Sequence, residues 1–258
     1  FELGYQKKGF EAVALDAGEV ALEYGISREE QDQWGHWSQT RWAEAYRTGK
    51  FRVGEEIAPV EVPQAKGDPI LVDRDEPPRE TTMEKLARLK PIYGSPTVTA
   101  GNAPGMNAGA SAVLMMSRKR ANEIGLTPLA TIEAMHWAAG DPRYMATLPA
   151  HAIRQMLDRA GRAIEEIDLV EINEAFAAVT LVSLKILAGD DPEKYESLKQ
   201  KTNVNGGAIA IGHPVGASGA RITMTLMYEL RRRGGGLGVS AICGGLGQGE
   251  ALLLKVQS

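Results

Sequence analysis

From Leu126 onward, short apolar runs alternate with stretches of helical periodicity. Leu129 to Trp137 predicts a strand, Pro149 to Ala160 a helix stopped by Gly161, and Asp168 to Ile172 a short buried strand. Glu174 to Ala188 continues as helix, Ala208 to Ile211 predicts another strand, and Ser218 to Arg233 a strongly amphipathic helix. Leu237 to Ile242 and Ala251 to Val256 are two further strands. Only a glycine loop parts them, which is close enough for an antiparallel hairpin. Such alternation predicts α/β layers, with helices covering a buried sheet.

The pattern before Leu126 is less regular. Ser27-Arg-Glu-Glu30 has capping-box spacing and predicts a helix running past Trp34, Trp37, Ala43 and Ala45 to Gly49. Trp34, Trp37 and Trp42 sit at helical spacing, which favours packing over a stacking platform. Phe51 to Asp75 reads as extended segments broken by Pro59, Pro63, Gly67 and Pro69, and Thr82 to Leu89 as a short helix before Pro91. Thr97 to Ala100 is strand-like and leads into the turn-rich Gly101–Gly109 loop. Ala110 to Met116 is apolar enough for a buried strand or helix, and Arg118 to Ile124 reads as a helix stopped by Gly125.

At 258 residues and 43% hydrophobic content, the chain is long enough for one or two packed domains. A net charge of −4 with both signs interspersed argues against nucleic-acid binding. Arg231-Arg-Arg233 closes a predicted helix, where basic residues complement the dipole. No apolar run reaches transmembrane length and no signal peptide is visible. Cys243 is the single cysteine, which rules out an intrachain disulfide and fits a cytoplasmic or other reducing compartment. The sequence begins with Phe1, which raises the expectation of a processed product, a fragment or one piece of a larger protein.

Three predicted strand ends carry a polar residue beside small ones, the place where α/β sheets tend to hold ligands. Asn173 is either an N-cap for the following helix or an amide that holds a water or substrate oxygen. His213 lies on a glycine-rich turn before a long helix; it either braces that turn or moves a proton near neutral pH. Cys243 precedes Gly244, Gly245, Gly247 and Gly249; it is either a small buried hydrophobe or a thiol ringed by backbone N–H groups. The same three residue types also suit a cysteine hydrolase with Cys243 as nucleophile and His213 as base. Nucleotide binding is poorly supported, because neither GxxxxGK[ST] nor a strand–GxGxxG–helix unit is present.

Taken together, Asn173-Glu-Ala-Phe176, Asn203-Val-Asn-Gly-Gly-Ala-Ile-Ala210, Gly212-His-Pro-Val-Gly-Ala-Ser-Gly219 and Cys243-Gly-Gly245 resemble, in order and spacing, the C-terminal motifs of the thiolases. Ser27-Arg-Glu-Glu-Gln-Asp32 and Thr99-Ala-Gly-Asn102 are similar to segments further upstream in that family. The resemblance implies a ping-pong exchange of acyl groups: Claisen condensation of two acyl-CoA esters, or thiolysis of a 3-ketoacyl-CoA. It implies that His213 activates an acyl-accepting cysteine and that Cys243 moves the α-proton. Asn173 would hold a water that, with His213, stabilises the enolate oxygen, and the Gly245 N–H would bind an oxyanion. It further implies CoA contacts at Arg79, Leu86, Ala100 and Phe176, with CoA and acyl-CoA as substrates and no permanently bound cofactor.

The implied fold is a thiolase-like αβαβα layered α/β sandwich, incomplete in this chain. Residues 1–96 would be part of the loop region, 97–125 the last strand and helix of the N-terminal half, and 126–258 the C-terminal domain. With one cysteine and no upstream half, the expectation is a second chain that supplies the N-terminal half and the nucleophilic cysteine, in dimers or tetramers of such units. Pro104, Met145-Ala-Thr-Leu-Pro149, Leu246 and Val13-Ala14 depart from the family pattern near the pantetheine and acyl pocket. Alternative readings are a non-catalytic CoA-ester-binding or scaffold subunit and a related condensing synthase; Cys243 disfavours the synthase, since decarboxylating synthases use histidines at that step.

Overall fold

A computed structural model describes residues 13–257; Phe1 and the first part of the 1–96 segment lie outside them, as does Ser258. Helix α1 (Val13–Glu23) leads into α2 (Arg28–Arg47), whose first turn is closed by the Glu30 N–H donating to Ser27 Oγ at 3.1 Å. That is half of the predicted box, and it satisfies an otherwise unpaired donor at the helix start. Trp34 and Trp42 are buried along α2, as their spacing implied. A small exposed hairpin, β1 (Val60–Val62) with β2 (Ile70–Val72), occupies the extended region, and α3 (Met83–Ala87) and α4 (Arg118–Glu123) follow.

The body of the fold is a four-stranded sheet made of β3 (Thr131–Ala139), β4 (Leu169–Ile172), β5 (Gly236–Gly244) and β6 (Gln248–Val256), in the order β3-β6-β5-β4. β4 and β5 are parallel; β5–β6 is the expected antiparallel hairpin and β6–β3 is also antiparallel. Between these strands run α5 (Leu148–Ala160), α6 (Ala177–Ala188), α7 (Pro192–Lys201), α8 (Ala208–Ile211) and α9 (Ser218–Arg232). Successive residues of β4 face opposite ways, as period-two backbone requires. Val170 and Ile172 pack with Ile153 of α5 and Leu181 of α6, whereas Leu169 packs with Leu226 and Leu230 of α9. The described residues therefore build an αβα arrangement around one four-stranded layer.

Because β4 and β5 run in parallel with Ile172 opposite Ala241, their C-terminal ends emerge on one edge of the sheet. Asn173 leaves β4 there, its N–H held by Ala241 O at 2.9 Å, and Cys243 stands two residues beyond Ala241 on β5.

Three segments differ from the sequence expectation. Ala208–Ile211 is a four-residue helix, not a strand. Its amides are claimed by the preceding turn and by a buried carboxylate, so no ladder forms (Ile211 N to Gly207 O, 3.1 Å; Ile209 N to Glu174 Oε2, 3.0 Å). Thr97–Ala100 is a turn with one isolated bridge, Thr99 to Pro91. Its backbone is satisfied by side chains: Thr99 N donates to Asn102 Oδ1 at 2.8 Å and Val98 N to Ser95 Oγ at 3.1 Å. Ala110–Met116 has no regular structure and is exposed, with Leu114 at 80% and Met115 at 69%. Among the described residues no strand lies beside it to take up its backbone groups. Helices α1 and α7 were not expected from the sequence, although α7 opens on an Asp191 cap with Pro192 at its first position.

Candidate active site

α8 ends at Gly212, whose φ of +96° favours glycine, and a β-carbon there would collide with the Asn107 side chain. The Gly101–Gly109 loop thus lies directly over the turn, and the His213 N–H donates to Gly105 O at 3.1 Å. A cleft of about 510 Å³ opens between Asn107–Ser111 and Pro214–Ala217, beside His213.

The ring of His213 is held at both nitrogens. Nδ1 lies 2.7 Å from Ser218 Oγ, and Nε2 lies 3.2 Å from Asn173 Nδ2. The Ser218 hydroxyl has one proton, and it can give it to Pro214 O at 3.1 Å, the usual i−4 bond of a helical serine. Ser218 Oγ then accepts from Nδ1–H. Nε2 is left as the bare nitrogen, accepting from the Asn173 amide. This assignment follows from the hydrogen-bond network as a whole. Burial, and secondarily the positive charge of Arg221, hold the imidazole below its ordinary 6.5. His213 is therefore a neutral acceptor at pH 7.

Asn173 is not the N-cap of α6. That position belongs to Phe176, in extended conformation and without a side-chain cap bond. The Asn173 amide is spent elsewhere: Nδ2 on His213, and Oδ1 on Arg221 Nη2 at 3.4 Å. Arg221, one turn beyond Ser218 on α9, also faces the buried Glu171, Nη1 to Oε2 at 3.9 Å. That carboxylate oxygen accepts no hydrogen bond, and burial pushes Glu171 upward despite Arg221.

Cys243 closes the sheet edge opposite Gly249 of β6. It retains part of its surface, yet the sulfur is set among core side chains, and burial pushes its thiol up to about 12. Gly245 lies in the hairpin turn just beyond; a β-carbon there would meet only Val13 Cγ1, at 3.5 Å.

The four expected CoA contacts gather around the Ala100–Asn102 turn. Arg79 Nη2 donates to Ala100 O at 2.7 Å, Leu86 is buried against Gly101, and Phe176 is followed by Ala177, whose N–H donates to Asn102 O at 2.9 Å. A second cavity of about 290 Å³, lined by Tyr24, Tyr144, Leu148, His151 and Gln155 among others, holds none of the candidate residues.

Glu174 is the anchor that sequence reasoning left out. Its fully buried carboxylate accepts from Trp34 Nε1 (2.9 Å), Asn203 Nδ2 (3.0 Å), Ser38 Oγ (2.7 Å) and Ile209 N (3.0 Å). It ties α2, the Asn203–Gly207 turn and α8 to the end of β4. Asn203 in turn pairs with both backbone groups of Ile172, at 2.9 and 2.8 Å. At Gly207 a β-carbon would lie 2.5 Å from Glu174 Cδ. Gly207→Ala is expected to cost about 1–3 kcal/mol, as overpacking does; urea unfolding with an unchanged slope would measure it.

The sequence description "Thiolase, C-terminal domain" matches residues 126–256, and "Thiolase, N-terminal domain" matches residues 7–119. The chain belongs to the thiolase family. The N-terminal match corrects the expectation that the N-terminal half is lacking, and nothing in the comparisons supports a second chain supplying it. Among thiolase relatives, the acetyl-CoA acetyltransferase of Chromobacterium violaceum is 47% identical over 246 residues, 94% of this chain and 60% of that protein. The acetyl-CoA acetyltransferase of Syntrophomonas wolfei is 46% identical, over 94% of this chain and 59% of that protein. The chain thus spans about three fifths of the length of these curated relatives. The crystal structure of the Bacillus anthracis acetyl-CoA acetyltransferase superposes with a TM-score of 0.88 at 39% identity, covering 96% of this chain and 61% of that one. Human mitochondrial 3-ketoacyl-CoA thiolase in complex with CoA gives 0.82 at 39% identity, over 95% and 58%. The αβα body described above is accordingly thiolase fold. No described helix is long and apolar enough to cross a membrane.

Proposed function

We propose that this chain performs the carbon–carbon bond-forming half of an acyl-CoA acyltransferase reaction, condensing acyl-CoA esters or cleaving a 3-ketoacyl-CoA. The observation that carries the reading is the Asn173–His213 contact at 3.2 Å, at the sheet edge where Cys243 also lies near the end of its strand. In the condensation direction the Cys243 thiolate takes a proton from C2 of the acyl-CoA. The electron pair moves onto the thioester oxygen, where His213, as the imidazolium left after it has taken the acyl-accepting thiol's proton, and a water held by Asn173 meet the developing charge. The enolate carbon then attacks an acyl thioester on a second sulfur, and the tetrahedral intermediate, its oxyanion on the Gly245 N–H, expels that sulfur. Arg79, Leu86, Ala100 and Phe176 hold the CoA. Acetyl-CoA is the natural first substrate to try, given the names of the relatives.

The acyl-accepting sulfur cannot be Cys243 if Cys243 is the base, and Cys243 is the only cysteine of the 258 residues. On this reading it comes from outside them. Proton exchange at C2 needs no acyl acceptor, so it is the test suited to this chain. Incubation with acetyl-CoA in D2O should place deuterium at C2, followed by NMR or mass spectrometry. Binding without any exchange would favour a non-catalytic CoA-ester-binding subunit and end the proposal.

The pH dependence has a defined sign. A thiol pushed up to about 12 is almost wholly protonated at neutrality, so its base form grows with pH. The exchange rate should climb about tenfold per unit between roughly pH 7 and 9. A flat profile across that interval would mean that no thiol held so far up supplies the base.

A further inference from the structure

The contact between Asn173 and His213 can be made in two ways. With Nδ2 facing the ring, Nε2 is the bare nitrogen and a base. With the amide turned over, Oδ1 faces the ring and Nε2 carries the proton. The two forms differ little in shape, so something beyond the pair must choose. Arg221 has only donors to offer. Its Nη2 points at Asn173 Oδ1 at 3.4 Å, and an amide turned over would bring N–H against N–H. Its side chain is 16% exposed and is held from the other side by Glu171, itself 3% exposed, at 3.9 Å. Glu56 and Asp75 face the same guanidinium through space, as does Glu174. At the far end of the ring, Ser218 accepts Nδ1–H while giving its own proton to Pro214 O.

We infer that Arg221 is a positioning residue: by claiming Asn173 Oδ1 it fixes the amide so that Nδ2 meets His213, and thereby selects the ring tautomer whose Nε2 is free to take a proton. This deepens the reading above, on which His213 activates a thiol and then, as the imidazolium, returns that proton's hydrogen bond to a developing oxyanion. The device is a relay of orientation from Glu171 through Arg221 and Asn173 to the ring. No member other than His213 needs to change its protonation.

The direct test is ¹⁵N NMR of the imidazoles of the whole chain at pH 8, where His213 is neutral. Four histidines are present, His36, His136, His151 and His213, and a His213→Gln sample assigns the signal. The wild type should show protonated Nδ1 and bare Nε2; the reverse would overturn the proposal without any variant. Arg221→Lys, which keeps a charge and donors only, should keep the tautomer. Arg221→Met should give a mixture or the reverse tautomer, because nothing then holds Asn173 Oδ1 away from the ring. Because Arg221→Met leaves Glu171 unpaired inside the fold, Arg221→Met with Glu171→Gln is the second variant. A double variant with the wild-type tautomer would also overturn the proposal. The readouts separate the two claims. A tautomer that follows Arg221 in a chain that exchanges no proton sinks the acyltransferase reading alone. Exchange that proceeds with an unmoved tautomer sinks this one alone.

Discussion

Cys243→Ala is expected to reduce deuterium exchange at C2 of bound acetyl-CoA by about 10³–10⁴-fold, with acyl-CoA affinity changed less than about threefold. The split between the two numbers is what identifies the role. Cys243 is the next-to-last residue of β5, with its backbone paired across to Gly249, and alanine keeps that pairing, so the sheet edge should remain. The groups expected to grip CoA lie around Ala100–Asn102, on other elements, and should bind as before. What disappears is the sulfur. Once ionised, a thiol pushed up to about 12 is a strong base, and the protein restrains its ionisation by burial more than it helps through a backbone hydrogen bond. The proton of a thioester α-carbon is weakly acidic, so a strong base matched against a stabilised enolate is the appropriate pairing. No other residue described at this edge matches it: His213, held below its ordinary 6.5, is a far weaker base than an ionised Cys243, and Glu174 is closed in by four donors. Exchange by the alanine variant within tenfold of wild type would mean that another base acts, and the assignment of Cys243 would fall.

Much of this site could be read before its geometry was known, because its members sit where chain-local rules are strong. The β5–β6 hairpin follows from two apolar runs around a glycine loop, and the Ser27 cap from its spacing to Glu30. Asn173, His213 and Cys243 each end a segment beside small residues, which marks them without showing how they meet. The failures have a common cause: tertiary partners settled what local sequence left open. Ala208–Ile211 is four apolar residues, too short for periodicity to separate strand from helix, and the deciding bond is Ile209 N to a carboxylate 35 positions upstream. Asn173 looked like a cap because a helix follows, but α6 starts three residues later and leaves the amide for Arg221 and His213. Ala110–Met116 looked buried because it is apolar; burial depends on a neighbour, and none of the described residues supplies a strand for it. Arg221 and Ser218 were hidden in a well-formed amphipathic helix. Their one visible signal was a shared face three residues apart, immediately after the histidine turn.

The largest expected loss of stability comes from Glu174→Gln, about 3 kcal/mol or more. The substitution keeps the shape of the side chain and changes only what its two ends can do. Oε1 receives Trp34 Nε1 and Asn203 Nδ2; Oε2 receives Ser38 Oγ and Ile209 N. A glutamine must place an NH2 at one of those ends. At the first it meets the indole N–H and the Asn203 amide. Asn203 cannot turn over, because both of its ends are paired with the backbone of Ile172. At the second it meets the backbone N–H of Ile209, which has no freedom at all, while Ser38 Oγ already accepts from Gly207 N at 3.0 Å. Either choice buries donors against donors, each costing about 1–3 kcal/mol. Urea or thermal unfolding would measure the total, and a change below about 0.5 kcal/mol would show that the carboxylate does not hold these elements together. The loss should extend to function. α8 hangs on the Ile209 bond and carries Gly212 and His213 at its end, while Glu174 itself follows Asn173 directly in the chain. Loosening that carboxylate releases both partners of the Asn173–His213 contact at once, so C2 exchange should fall even under conditions where the variant remains folded.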